Sequence, residues 1–142
     1  MSRIAVGSDH AGFVLKSTLA DELRTAGHDV VDLGAHDRRS VDYPDFGTAV
    51  AKAVVAGDVE IGVCVCGSGI GISIAANRVH GARAAPVHDV TSARLSREHN
   101  DANIICFGER LIGVEVAKDA LRVFLATPFE GGRHQSRIDK LG

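Results

Sequence analysis

A single thiol, Cys66, stands where a short apolar run meets a glycine-rich turn, the junction at which an α/β enzyme presents a nucleophile or base. The run Ile61–Cys66 is brief and rich in β-branched residues, as expected for a strand buried on both faces of a parallel sheet. Gly67, Ser68, Gly69, Ile70 and Gly71 then break it. Three glycines at alternate positions let the backbone bend and aim successive N–H groups at one point, and the following ISIAAN predicts a short helix. An oxyanion could sit there, beside the thiol. Free cysteine is also among the most buried residue types, and that plainer reading suits Cys64 and Cys106. Alternation puts Cys64 and Cys66 on one strand face, but only Cys66 touches the glycine loop, whose oriented amides favour a thiolate.

In parallel α/β folds ligands bind beyond the carboxyl ends of the strands. Five predicted strand ends deliver Asp9 and His10, His36 and Asp37, Cys66 and Ser68, His88 and Asp89, and Glu109 and Arg110. Other chemistries fit less well. GxGxG is neither the full dinucleotide fingerprint nor a phosphate loop ending in GK[ST], although Asp89 lies near the spacing at which a nucleotide binder would place its ribose contact. A cysteine phosphatase needs an arginine closing the loop, and Ile72 and Ser73 stand there. No HxxxH or HExxH spacing occurs among seven histidines, so a catalytic metal is not expected. His28 and His80 read as turn residues. His99 reads equally as a functional group or as a surface histidine favoured by a helix C-terminus. Arg133, His134 and Arg137 form a cationic group that could grip a phosphate or could simply be solvated.

The elements that must position these residues alternate along the chain. Ile4, Ala5 and Val6 start a strand, and residues 11–26 carry Leu15, Leu19 and Leu23 at helical spacing before Gly27. Residues 29–33 predict a second strand, and a helix after Pro44 shows Phe46, Val50, Ala53 and Val54 on one side. Residues 82–87 predict a fourth strand, Asp89 a helix cap, residues 104–107 a fifth strand, and Val114, Ala117, Leu121 and Phe124 a last long helix. Strands separated by helices imply right-handed βαβ units and a three-layer αβα domain with a five-stranded parallel, Rossmann-like sheet. The 142 residues suit one domain, with residues 130–142 a tail packing on a partner subunit. Sixteen basic against eighteen acidic side chains, without charge blocks, argue against nucleic acid or a membrane as partner. No apolar stretch reaches membrane-span length, the N-terminus has no signal pattern, and three unpaired cysteines suit a reducing cytoplasm.

GSDHAG, DYPDF, CGSGIGISIAANR, SREHNDAN, GER and EGGRHQSRI, in order along nearly the whole chain, resemble the ribose-5-phosphate isomerase B family. The resemblance implies a cofactor-free aldose–ketose isomerase of pentose phosphate metabolism, a homodimer or homotetramer with active sites shared between subunits. It implies Cys66 as the base that moves a proton through an enediol, Ser68 as an assisting hydroxyl, His99 as the ring opener and Asp9 as a hydroxyl contact. The amides of Gly67, Gly69, Ile70 and Gly71 would face the enediolate. His10, Arg110, Arg133 and Arg137 would hold the phosphate of a phosphorylated sugar, and Tyr43 and Asn100, with Asn77, would line the pocket. A glutamate base used elsewhere in the family falls at Ile72, which cannot take a proton. Six-carbon sugar phosphates and a non-catalytic sugar-phosphate binding module are the alternatives.

Overall fold

The computed structural model describes residues 1–142. Five strands, β1 (Arg3–Ser8), β2 (Asp29–Asp32), β3 (Ile61–Cys66), β4 (Ala84–Pro86) and β5 (Ile104–Gly108), form one sheet in the order β2-β1-β3-β5-β4. Every pairing is parallel. Six helices separate and follow them: α1 (Phe13–Thr25), α2 (Tyr43–Val55), α3 (Ile70–Asn77), α4 (Val90–Asn100), α5 (Val114–Ala126) and α6 (Arg133–Asp139).

That strand order decides which helix covers which face. The chain steps one way across the sheet from β1 to β2 and from β4 to β5, and the other way from β2 to β3 and from β3 to β4. Right-handed crossovers therefore send α1 and α4 to one face and α2 and α3 to the opposite face. The packing agrees. Leu15, Leu19, Leu121 and Phe124 close over Val6, Val63, Ile105 and Phe107, whereas Val50, Val54, Ile72 and Ala76 close over Ala5, Cys64, Cys66 and Cys106. Three-layer α/β architecture follows directly. Each fully buried Leu or Phe contributes about 1.5–3 kcal/mol by leaving water, so both faces stabilise the strands.

α2 and α3 pack closely on one another. A Cβ at Gly47 of α2 would lie 2.8 Å from the Ile72 carbonyl, so only glycine lets α2 rest on α3 and hold the helix that carries the glycine loop. On the other face Lys16 is buried to 1% exposure, and its ammonium donates to both Asp32 carboxylate oxygens at 3.0 and 2.9 Å and to the Ala35 carbonyl at 2.7 Å. Every donor of that buried charge is satisfied, and it ties α1 to the end of β2.

Differences from the sequence reading are local. α2 begins at Tyr43, with Pro44 inside its first turn where a missing N–H costs nothing. Val114 is exposed and only Ala117, Leu121 and Phe124 of that predicted stripe face the core. Asp89 caps α4 through a reciprocal bond pair with Ser92, and those bonds hold its carboxyl below the usual carboxylate range. The tail folds into α6 against α4 of its own chain, burying His134 and Ile138 and leaving Arg133 and Arg137 outward.

Candidate active site

β1 and β3 lie side by side, but the chain leaves them for helices on opposite faces. Their carboxyl ends therefore part around a crevice of about 640 Å³. Asp9, His10, Tyr43, Cys66, Ser68 and Arg110 all line it. Cys66 forms the floor, 4% exposed, with its Sγ accepting the Gly69 N–H at 3.1 Å. Gly69 holds φ at +76°, and a Cβ there would meet the Phe107 carbonyl carbon at 2.8 Å, so this turn against β5 excludes any other residue. Ser68 Oγ accepts the Ile70 N–H at 3.2 Å, and Asp9 Oδ1 accepts the Gly12 N–H at 3.0 Å.

Those bonds narrow the expectation for the loop amides. Gly69 and Ile70 are engaged by Cys66 and Ser68, while the N–H groups of Gly67, Ser68 and Gly71 have no acceptor within the chain. A developing oxyanion beside the thiol would find these donors free. The three cysteines also separate by environment. Cys106, hydrogen-bonded to Cys64 and fully buried, has its thiol pushed well above the ordinary range, as an inert core residue should.

Apart from Tyr43 of α2, the crevice takes its polar residues from the ends of the three central strands. His36, Asp37, His88 and Asp89 follow the edge strands β2 and β4 and stay outside it. Glu109 is engaged elsewhere, accepting the Leu15 N–H at 2.7 Å near the start of α1. Asn77 is also committed: its amide brackets Ala84, donating to the carbonyl at 2.9 Å and accepting the N–H at 2.8 Å, which fastens α3 to β4. Ala11, Ile74 and Leu111 line the crevice without having been singled out by the sequence, since apolar rim residues carry no chemical signature.

His99, Asn100, Arg133 and Arg137 gather at a second cavity, about 370 Å³, that shares no lining residue with the first. The reason is topological. α4 descends from the carboxyl end of the sheet, so its last turn sits beside Ile104, where β5 begins, while Cys66 pairs with Gly108, where β5 ends. Five residues at roughly 3.3 Å each place the two groups on the order of 15 Å apart along the sheet. One chain does not bring Cys66 and His99 together.

Within the second cavity the His99 and His134 rings stack, with centroids 4.4 Å apart and planes 17° from parallel. Glu130 Oε1 lies 3.7 Å from His99 Nε2 and 4.0 Å from His134 Nε2. His134 is therefore no member of a cationic group. Burial first, then the nearby Arg133 and His99, push its imidazole below the ordinary value and keep it neutral. The three side chains place potential metal-ligand atoms within 4.8 Å of one another. Near-parallel imidazole planes cannot both aim in-plane lone pairs at one ion, so this arrangement is a stack and not a chelate. The sequence pointed to His99 and the arginines but not to Glu130 or the burial of His134; the four-residue interval between those two was the available signal.

Fold and crevice together define a doubly wound α/β protein that gathers a thiol, free amides and an arginine at a topological switch point. The family model described as Ribose/Galactose Isomerase matches residues 4–141, and the chain belongs to that family. It is 44% identical over 141 residues to ribose-5-phosphate isomerase B of Escherichia coli K12, covering 99% of this chain and 95% of that one. Among solved structures, ribose-5-phosphate isomerase B of Clostridium thermocellum superposes with a TM-score of 0.98 at 51% identity, over 99% of this chain and 95% of the other. The Thermotoga maritima ribose 5-phosphate isomerase superposes at 0.97 with 45% identity, over 99% and 97%. No helix is long and apolar enough to cross a membrane.

Proposed function

We propose that this chain interconverts D-ribose 5-phosphate and D-ribulose 5-phosphate through an enediol, with Cys66 as the base. The observation that carries the reading is the floor of the crevice, which a single buried thiol shares with three residues, Gly67, Ser68 and Gly71, whose N–H groups have no acceptor. Cys66 takes the proton from C2 of the open-chain aldose and returns it to C1, while the amides of Gly67, Ser68 and Gly71 stabilise the negative oxygen that develops between. Asp9 and the Ser68 hydroxyl, both fixed by backbone bonds, orient the sugar hydroxyls. Tyr43 lies over Gly71 and closes one side.

His99 opens the furanose ring, and Arg133 and Arg137 bind the phosphate together with His10 and Arg110. Because the second cavity lies at the other end of the sheet, these groups reach the crevice from a second copy. The working unit is then a homodimer, or a tetramer built from such dimers, with Asn100 and the outward face of α6 at the shared site. Isomerisation of a six-carbon sugar phosphate remains the second reading, favoured by the breadth of the family description. The ratio of kcat/KM for ribose 5-phosphate and allose 6-phosphate separates them.

The decisive assay follows ribose 5-phosphate conversion in the presence of EDTA for the wild type and Cys66→Ala. Turnover by the wild type, reduced about a thousandfold in the variant, is the expected result. Wild-type turnover by Cys66→Ala would overturn the assignment of the base.

A further inference from the structure

His134 is a costly residue for its position. It is 5% exposed, its Nε2 has no hydrogen-bond partner, and a buried polar atom left so costs about 1–3 kcal/mol that an apolar side chain would avoid. Its one close aromatic neighbour is His99, ring on ring at 4.4 Å. Glu130 is held to the same turn of α4, since its N–H donates to the Glu98 carbonyl at 3.2 Å, and its carboxylate reaches the Nε2 edge of both rings.

We infer that His134 and Glu130 are positioning residues for His99: His134 backs one face of the ring and Glu130 anchors its Nε2 edge, so the imidazole meets the substrate ring in one orientation. The inference rests on the reading of His99 as the ring opener. Glu130 sets a carboxylate oxygen 3.7 Å from His99 Nε2, and the buried ring prevents the exposed one from turning away.

Ribulose 5-phosphate has no ring to open, so wash-in of solvent deuterium at its C1 reads the Cys66 chemistry alone. The test compares this exchange with ribose 5-phosphate turnover for the wild type, His99→Asn, His134→Ala, His134→Phe and Glu130→Gln. His134→Ala should lower kcat on ribose 5-phosphate about tenfold with KM and deuterium exchange each within about twofold, because the loss falls on orientation. His134→Phe keeps a ring face and should recover most of that loss, and Glu130→Gln should fall between. Unchanged kcat in His134→Ala, or an equal loss of exchange and turnover, would overturn the inference. If His134→Ala does not fold, Glu130→Gln decides it, and unchanged turnover there would overturn it equally. Full ribose 5-phosphate turnover by His99→Asn would instead sink the ring-opening reading itself.

Discussion

The two ends of the sheet hold their functional side chains by different means. At the carboxyl end Cys66, Ser68 and Asp9 are each fixed by a backbone N–H two or three residues away, on turns locked between packed strands. At the amino end His99 is held by a stacked ring and a carboxylate, and Arg133 and Arg137 project from a seven-residue helix near the chain terminus. Strand register enforces the first geometry. The second depends on side chains and faces outward, and on the proposed function it meets a substrate when another copy brings a crevice to it. On the proposed assignment, moving a proton between adjacent carbons uses the tighter mounting, and gripping a phosphate and opening a ring use the looser one.

The sharpest way to break this comparison is to divide the labour between chains. Cys66→Ala and His99→Asn should each be nearly inactive alone, yet randomly reassembled mixtures should regain about a quarter of wild-type activity, because half the dimers are hybrids with one intact site of two. No recovery on mixing would show that the ends do not cooperate across copies. Stability gives the next largest effect. Gly69→Ala and Gly131→Ala both place a side chain at positive φ, but only the first meets packed backbone, at 2.8 Å. Thermal unfolding should show a loss of about 3 kcal/mol at Gly69 and about 1 kcal/mol at Gly131. Equal losses would mean the carboxyl-end turn is no more rigid than the amino-end one.

Arg137→Ala should raise KM about tenfold with kcat within about threefold and Tm unchanged, the pattern of a lost phosphate contact. A fall in kcat alone would move Arg137 from binding to chemistry. The smallest effect concerns acid. Burial keeps His134 neutral in the folded chain below the pH at which the unfolded chain takes up a proton, so the stability this brings is complete above about pH 6.5 and is lost as pH falls below it. Tm measured between pH 7.5 and 5.5 should drop for the wild type and drop less for His134→Phe.

The order and type of the elements were legible because buried parallel strands and amphipathic helices repeat with different periods, as Leu15, Leu19 and Leu23 and the run Ile61–Cys66 illustrate. Strand order was not, because pairing joins residues far apart, such as Cys66 with Gly108. That gap explains the overextended list of strand-end residues. His36 and His88 follow strands as surely as Asp9 does, but their strands lie at the edges, and only neighbours of the β1/β3 parting share its crevice. The separation of Cys66 from His99 needed the direction of α4 in space, which no local pattern encodes. His134 looked like a charge because its neighbours are arginines, and only its seat against α4 shows otherwise.

The sheet's outer strands also limit how copies of this chain can meet. β2 has four residues and β4 three, and β4 ends in Pro86, which has no N–H to offer another strand. Neither border is long enough to template a strand from a neighbouring molecule, so the sheet resists being lengthened into a continuous ribbon. Association between copies is left to helices and loops, so the partner that the proposed function calls for would be met there and not by a growing ribbon of strands.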